Sequence, residues 1–151
     1  KDSFKKLSNN TTVLSSENQL LMTCFNKQIN DKGQWTKNIS LRNSYDLYLQ
    51  SKHASAKTVL HNFKYYKSYF NNFIASTNLI FNHPKSLEYI ATSKTKRFIK
   101  MQLLLIKKPK LYNFYQNLWE FYFLYTHRLS VVIKAIYKKD YRIFLLKRLF
   151  S

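Results

Sequence analysis

The sequence predicts a mostly α-helical fold: a small helical domain over residues 44–151, preceded by an extended or disordered polar arm over residues 1–43. Three observations carry this. Apolar residues recur at threes and fours through long windows, the period of an amphipathic helix. Glycine and proline number only 1 and 2 in 151 residues, where average usage gives roughly ten and seven. That shortage excludes β-architectures built on many tight turns. Apolar content is 45% and aromatic content 17%, enough for a core and against general disorder.

Residues 1–43 are rich in Asn, Ser, Thr, Lys and Gln and hold the single glycine, Gly33. One short helix is predicted there around Gln19–Asn26, using Leu20, Leu21 and Phe25. Trp35 and Ile39 give the arm something to dock with. Residues 44–82 read as helix, because Val59, Phe63, Tyr66, Phe70 and Phe73 form one apolar stripe at spacings of 4, 3, 4 and 3. Lys57, Lys64, Lys67 and Asn71 fall off that stripe, and Ser51 or Ser55 is the candidate N-cap. Asn82, His83 and Pro84 end the helix, since the residue before proline is pushed away from helical angles.

Ser86 is predicted to restart a helix with Leu87, Ile90 and Ala91. Residues 98–106 fit a helix through Phe98, Met101 and Leu105, or a short buried strand through Leu103–Ile106. Pro109 closes this segment. From Leu111 the pattern is helical and long, with Leu111, Phe114, Tyr115, Leu118, Tyr122, Tyr125, Leu129, Val132 and Ile136 at threes and fours. Plain core packing is the favoured reading of this aromatic-rich stripe over a base-stacking platform. Tyr141, Phe144, Leu145 and Leu149 place a last amphipathic helix over residues 141–150.

No stretch reads as a membrane span, which wants about 20 mostly apolar residues. Residues 68–84 lack charge but carry Asn71, Asn72, Asn78 and Asn82, while residues 111–133 are interrupted by Glu120, His127 and Arg128. The first 20 residues predict no signal peptide, having no apolar core, and their lack of Arg argues against a transit peptide. Cys24 is the only cysteine, so an intramolecular disulfide framework is excluded.

The residues in excess and in deficit share a cause. Phe, Tyr, Met, Ile, Asn and Lys total 71, whereas Gly, Ala, Arg and Pro total 13, and Lys outnumbers Arg 21 to 5. The first group uses A/T-rich codons and the second G/C-rich ones. In this the chain resembles the divergent proteins encoded in AT-rich mitochondrial genomes of ciliates and other protists; an AT-rich nuclear or bacterial genome is the alternative. The resemblance is compositional and transfers no binding residue. It implies a short list of roles, namely membrane subunits of respiratory complexes and ATP synthase, or ribosomal proteins. Without a span, the ribosomal class gains.

Charge then suggests a partner. The net +19 is concentrated in residues 94–151, where 14 basic residues stand against 2 acidic ones. One focus is Lys94, Lys96, Arg97, Lys100, Lys107, Lys108 and Lys110, with no acid among them. The other is Arg128, Lys134, Lys138, Lys139, Arg142, Lys147 and Arg148, with only Asp140. On a continuous helix Lys134, Lys138 and Arg142 form one row of about 12 Å, comparable with two or three phosphates of an RNA strand. Like charges at this spacing destabilise a helix by a few tenths of a kcal/mol each unless a polyanion meets them. Lysine charge of this kind binds phosphate with little sequence information.

The chemistry of enzymes is not evident. The seven acids are scattered, with no pair at helical spacing, and His53, His61, His83 and His127 form no metal-binding spacing with Cys24. No cofactor and no small-molecule substrate are expected. The sequence therefore predicts a structural constituent of the mitochondrial ribosome, in the matrix, whose partners are rRNA and neighbouring ribosomal proteins. The alternatives are a non-catalytic peripheral accessory subunit of a respiratory complex or ATP synthase set against anionic lipid, and a free DNA- or RNA-binding factor.

Overall fold

The computed structural model describes residues 4–6, 12–62 and 65–149. The protein is mostly α-helical. It divides into two compact units, residues 1–108 and residues 109–151.

The extended arm is a short antiparallel ribbon. Strands β1 (Phe4–Lys6) and β2 (Thr12–Leu14) pair with Phe4 opposite Leu14, and Phe4 lies exposed. The arm is shorter than the polar composition of residues 1–43 suggests. Helix α1 (Ser16–Phe25) starts at Ser15, whose side chain accepts from the Asn18 N–H, and it carries Leu20 and Cys24 into the core. Two buried residues four apart supply an inward face that a polar average conceals. A π-turn over Asn26–Asn30 and the short helix α2 (Gly33–Thr36) follow. Trp35 packs edge-on against Tyr69, 5.9 Å between ring centres, so this residue does dock.

Residues 44–82 are three helices rather than one: α3 (Leu41–Ser51), α4 (Ala56–Asn62) and α5 (Lys67–Ile80). Ser55 is the cap of α4, accepting from the Thr58 N–H, whereas Ser51 ends α3 and bonds Tyr48 O and Ser86. Tyr66 precedes α5 with φ 58°, a left-handed turn that interrupts an otherwise continuous apolar spacing. Of the predicted stripe, Val59, Phe70 and Phe73 are buried and Tyr66 is exposed; Phe63 lies outside the described residues, as does Lys64. Asn82 and His83, at φ 56° and 61°, end α5 where expected.

Ser86 restarts only a 3-10 turn, Lys85–Leu87. The next α-helix, α6 (Ser93–Lys107), begins one turn later at Thr92, whose hydroxyl accepts from the Thr95 N–H at 3.1 Å. Residues 98–106 are thus helix and not strand. Helix α6 closes before Pro109 as expected, with Lys108 already off helical angles, and Pro109 also opens α7 (Pro109–Tyr137), where its missing N–H costs nothing. Helix α8 (Lys139–Leu149) completes the second unit.

The core of the first unit is built from Leu20, Leu47, Leu60, Phe70, Ile74 and Leu87 of five elements. Each such side chain contributes about 1.5–3 kcal/mol when fully buried. Asn71, Asn72, Ser76, Thr77 and Asn78 of α5 are buried beside them. Asn71, which falls off the predicted stripe, bonds Ile90 O (2.7 Å), Ile90 N (2.7 Å) and Thr95 Oγ1 (2.8 Å). Asn78 likewise donates to Pro84 O and Leu87 O. Backbone in the non-helical segment 84–92 finds its partners on these side chains, which is why a polar helix face turns inward.

Candidate nucleic-acid interface

Helix α6 buries one face, while its outer face mixes cations with the exposed Leu103 and Leu104. Thr95, Phe98, Gln102 and Leu105, spaced 3, 4 and 3, are buried. Lys96, Lys100 and Lys107, spaced 4 and 7, fall on the opposite side and are exposed, with Arg97 beside them; Lys94 is exposed in the first turn but off that row. From Lys96 to Lys107 the row spans about 16 Å at 1.5 Å per residue. No acid lies on α6. The inward register is held by polar bonds, since Ser76 Oγ donates to Gln102 Oε1 and Gln102 Nε2 donates to Lys37 O. Lys108 follows the helix end, and Lys110 belongs to the second unit.

The second focus is rearranged. Helix α7 stops at Tyr137 and α8 restarts at Lys139, so Lys134, Lys138 and Arg142 do not stand on one straight helix. They straddle a corner, with Lys134 on α7, Lys138 between the helices and Arg142 on α8. A groove of about 700 Å³ between the two helices is lined by His127, Arg128, Val131 and Val132 from α7 and by Asp140, Tyr141 and Phe144 from α8. The Lys134 ammonium sits 5.7 Å from the Tyr141 ring centre, tying the corner together. Arg128, Lys138, Lys139, Arg142 and Lys147 are exposed; the side chain of Arg148 lies outside the described residues, as do those of Leu145 and Leu149.

The aromatic stripe of α7 is not core. Phe114, Leu118, Tyr125, Leu129 and Ile136 are each more than half exposed, and Val132 nearly so. Among the described residues of this unit, Ala135 is the buried one. Periodicity identified the face correctly but could not say what covers it.

Two further cations escaped sequence reasoning. Lys27 is buried, its ammonium donating to Asn38 Oδ1 at 2.6 Å, and burial pulls its pKa down against the opposing pull of Asp31. Lys37 lies over the Phe98 ring at 4.6 Å and burial lowers its pKa to about 8. Both come from a stretch whose composition reads as solvated. Cys24 is buried and desolvation pushes its thiol well above the ordinary range, the reverse of what a nucleophile needs. Among the described residues no group of three or more His, Cys, Asp or Glu stands close enough to hold a metal ion, and no helix is long and apolar enough to cross a membrane.

Comparison with known proteins finds no matching family model, no matching curated relative and no matching solved structure.

Proposed function

We propose that this chain is a non-catalytic structural protein of the mitochondrial ribosome, holding rRNA through its basic helical faces and contacting neighbouring ribosomal proteins. The observation that carries the proposal is the outer face of α6. Lys96, Arg97, Lys100 and Lys107 are exposed together on a helix without an acid, while that helix is locked from behind by Phe98, Leu105 and the Ser76–Gln102 bond. A rigid row of ammonium groups suits a rigid row of phosphates. Its self-repulsion is relieved when a polyanion is bound. The corner formed by Lys134, Lys138 and Arg142 adds a second, independent set of phosphate contacts in the other unit. The matrix location rests on the composition, with its 71 residues from A/T-rich codon families.

Sedimentation of detergent-solubilised mitochondria tests this. The proposal expects the protein to travel with rRNA and to be released by nuclease or high salt. Migration with respiratory complexes after nuclease treatment would refute it.

A further inference from the structure

The exposed apolar residues of α7 are not scattered. Phe114, Leu118, Phe121, Tyr125, Leu129 and Ile136 follow one another at spacings of 4, 3, 4, 4 and 7, which keeps them on one side of the helix over about 33 Å. Their exposure runs from 51% at Tyr125 to 66% at Ile136. No charged residue interrupts the stripe. Asn113, Gln116, Glu120, His127 and Lys134 of the same helix recur at 3, 4, 7 and 7 on the opposite side. Lys110 and Arg128 stand at one edge of the stripe, eighteen residues apart and so in the same register after five turns.

An uncharged stripe is unsuited to RNA. A second copy of the chain is disfavoured by charge, since each copy brings +19 overall and residues 109–151 carry 8 basic against 2 acidic side chains. The same charge favours an anionic lipid surface. A helix that is aromatic and aliphatic along one side, polar along the other with cations at the stripe edge, and not apolar enough to span a bilayer lies in the plane of the interface. Tyr and Phe suit the headgroup boundary, and cations at the stripe edge meet lipid phosphates. We propose that α7 docks on an anionic bilayer, with this stripe buried at the acyl boundary and Lys110 and Arg128 at headgroup level. Lys134, on the far side, is then left facing away from the lipid. The inference does not rest on the RNA-binding reading, which uses the outer face of α6 and the corner at Lys134, Lys138 and Arg142, none of them in this stripe.

Vesicle flotation of the full chain tests it, at about 0.3 M salt so that long-range attraction is screened to several ångströms. The probes are phosphatidylcholine vesicles with and without about a third phosphatidylglycerol. Wild type is expected to float with the anionic vesicles and several-fold less with neutral ones. The exposed double variant Leu118→Asp/Leu129→Asp, with its far-UV CD spectrum unchanged, is expected to lose roughly a hundredfold in partition. The variant Lys96→Glu/Lys100→Glu/Lys107→Glu is expected to keep vesicle binding while its RNA affinity falls, which separates failure of this inference from failure of the other. Retention of vesicle binding by the Asp variant would overturn the inference. So would a wild-type chain that ignores both vesicles, including one that dimerises through the stripe instead.

Discussion

Ser76 Oγ donates to Gln102 Oε1 at 2.5 Å, joining the middle of α5 to the middle of α6. Both residues are buried. The same Gln102 amide donates to Lys37 O at 3.2 Å, so a single side chain fixes α6 against two other elements. That fixes the rotation of α6, and with it the outward aim of Lys96, Lys100 and Lys107. Replacing Gln102 by Leu leaves the Ser76 hydroxyl and the Lys37 carbonyl without partners. Urea denaturation is expected to show a loss of about 1–3 kcal/mol, with an unchanged m-value.

The scarcity of glycine has a structural cost. Among the described residues Lys32, Lys37, Tyr66, Asn82 and His83 occupy left-handed backbone at φ between 56° and 61°. For a residue with a Cβ such a conformation costs roughly 1–2 kcal/mol, least for Asn. Lys32 is exposed, and its left-handed turn starts α2. Lys32→Gly is expected to raise stability by about 0.5–1 kcal/mol, part of the relief being offset by a more flexible unfolded chain. Thermal melting checks the sign.

Lys37 makes stability rise in alkali. Its pKa is about 8 in the folded protein, against 10.5 when unfolded, because burial disfavours the charged ammonium. Between these values the unfolded chain binds more protons than the folded one, so stability increases with pH. Lys27 is shifted in the same direction and adds to the effect. Denaturation midpoints are expected to climb between pH 8 and 10.5, and Lys37→Met is expected to flatten the climb while keeping the packing on Phe98.

Cys24 reports on the integrity of the first unit. It is 1% exposed and its thiol resists ionisation, so an electrophilic thiol reagent is expected to label it only upon unfolding. Labelling that proceeds at native conditions as fast as in urea would place Cys24 outside the core.

The helical class was legible because its signal is local. Spacings of three and four mark α1, α5, α6 and α7 without knowledge of neighbours. The start of α4 was marked by Ser55 as a candidate N-cap, but the break before α5 was not legible, since the left-handed turn is made by Tyr66, a residue that also continues the apolar spacing. The inward turn of Asn71 and Asn78 was hidden for a different reason. An amide looks solvent-facing until the backbone it satisfies, at Ile90, Pro84 and Leu87, is folded against it. Pro109 carried an ambiguous message, being as good an opener of a helix as a terminator. For the candidate interface, the sequence named the cations and the structure divided them. Lys96, Arg97, Lys100 and Lys107 share a face, whereas Lys134, Lys138 and Arg142 meet at a corner. The exposed stripe of α7 was read as core because periodicity reveals a shared face and says nothing of its cover.

RNA affinity measured across a salt series tests the central claim most directly, comparing wild type with Lys96→Glu/Lys100→Glu/Lys107→Glu. Each phosphate contact contributes a slope of about −0.7 to −0.9 in log K against log salt. Removing three contacts is expected to make the slope shallower by roughly two to three, with a loss of affinity that does not depend on RNA sequence. An unchanged slope in the variant, or a wild-type affinity indifferent to salt, would contradict the assignment of α6 as an RNA-binding face.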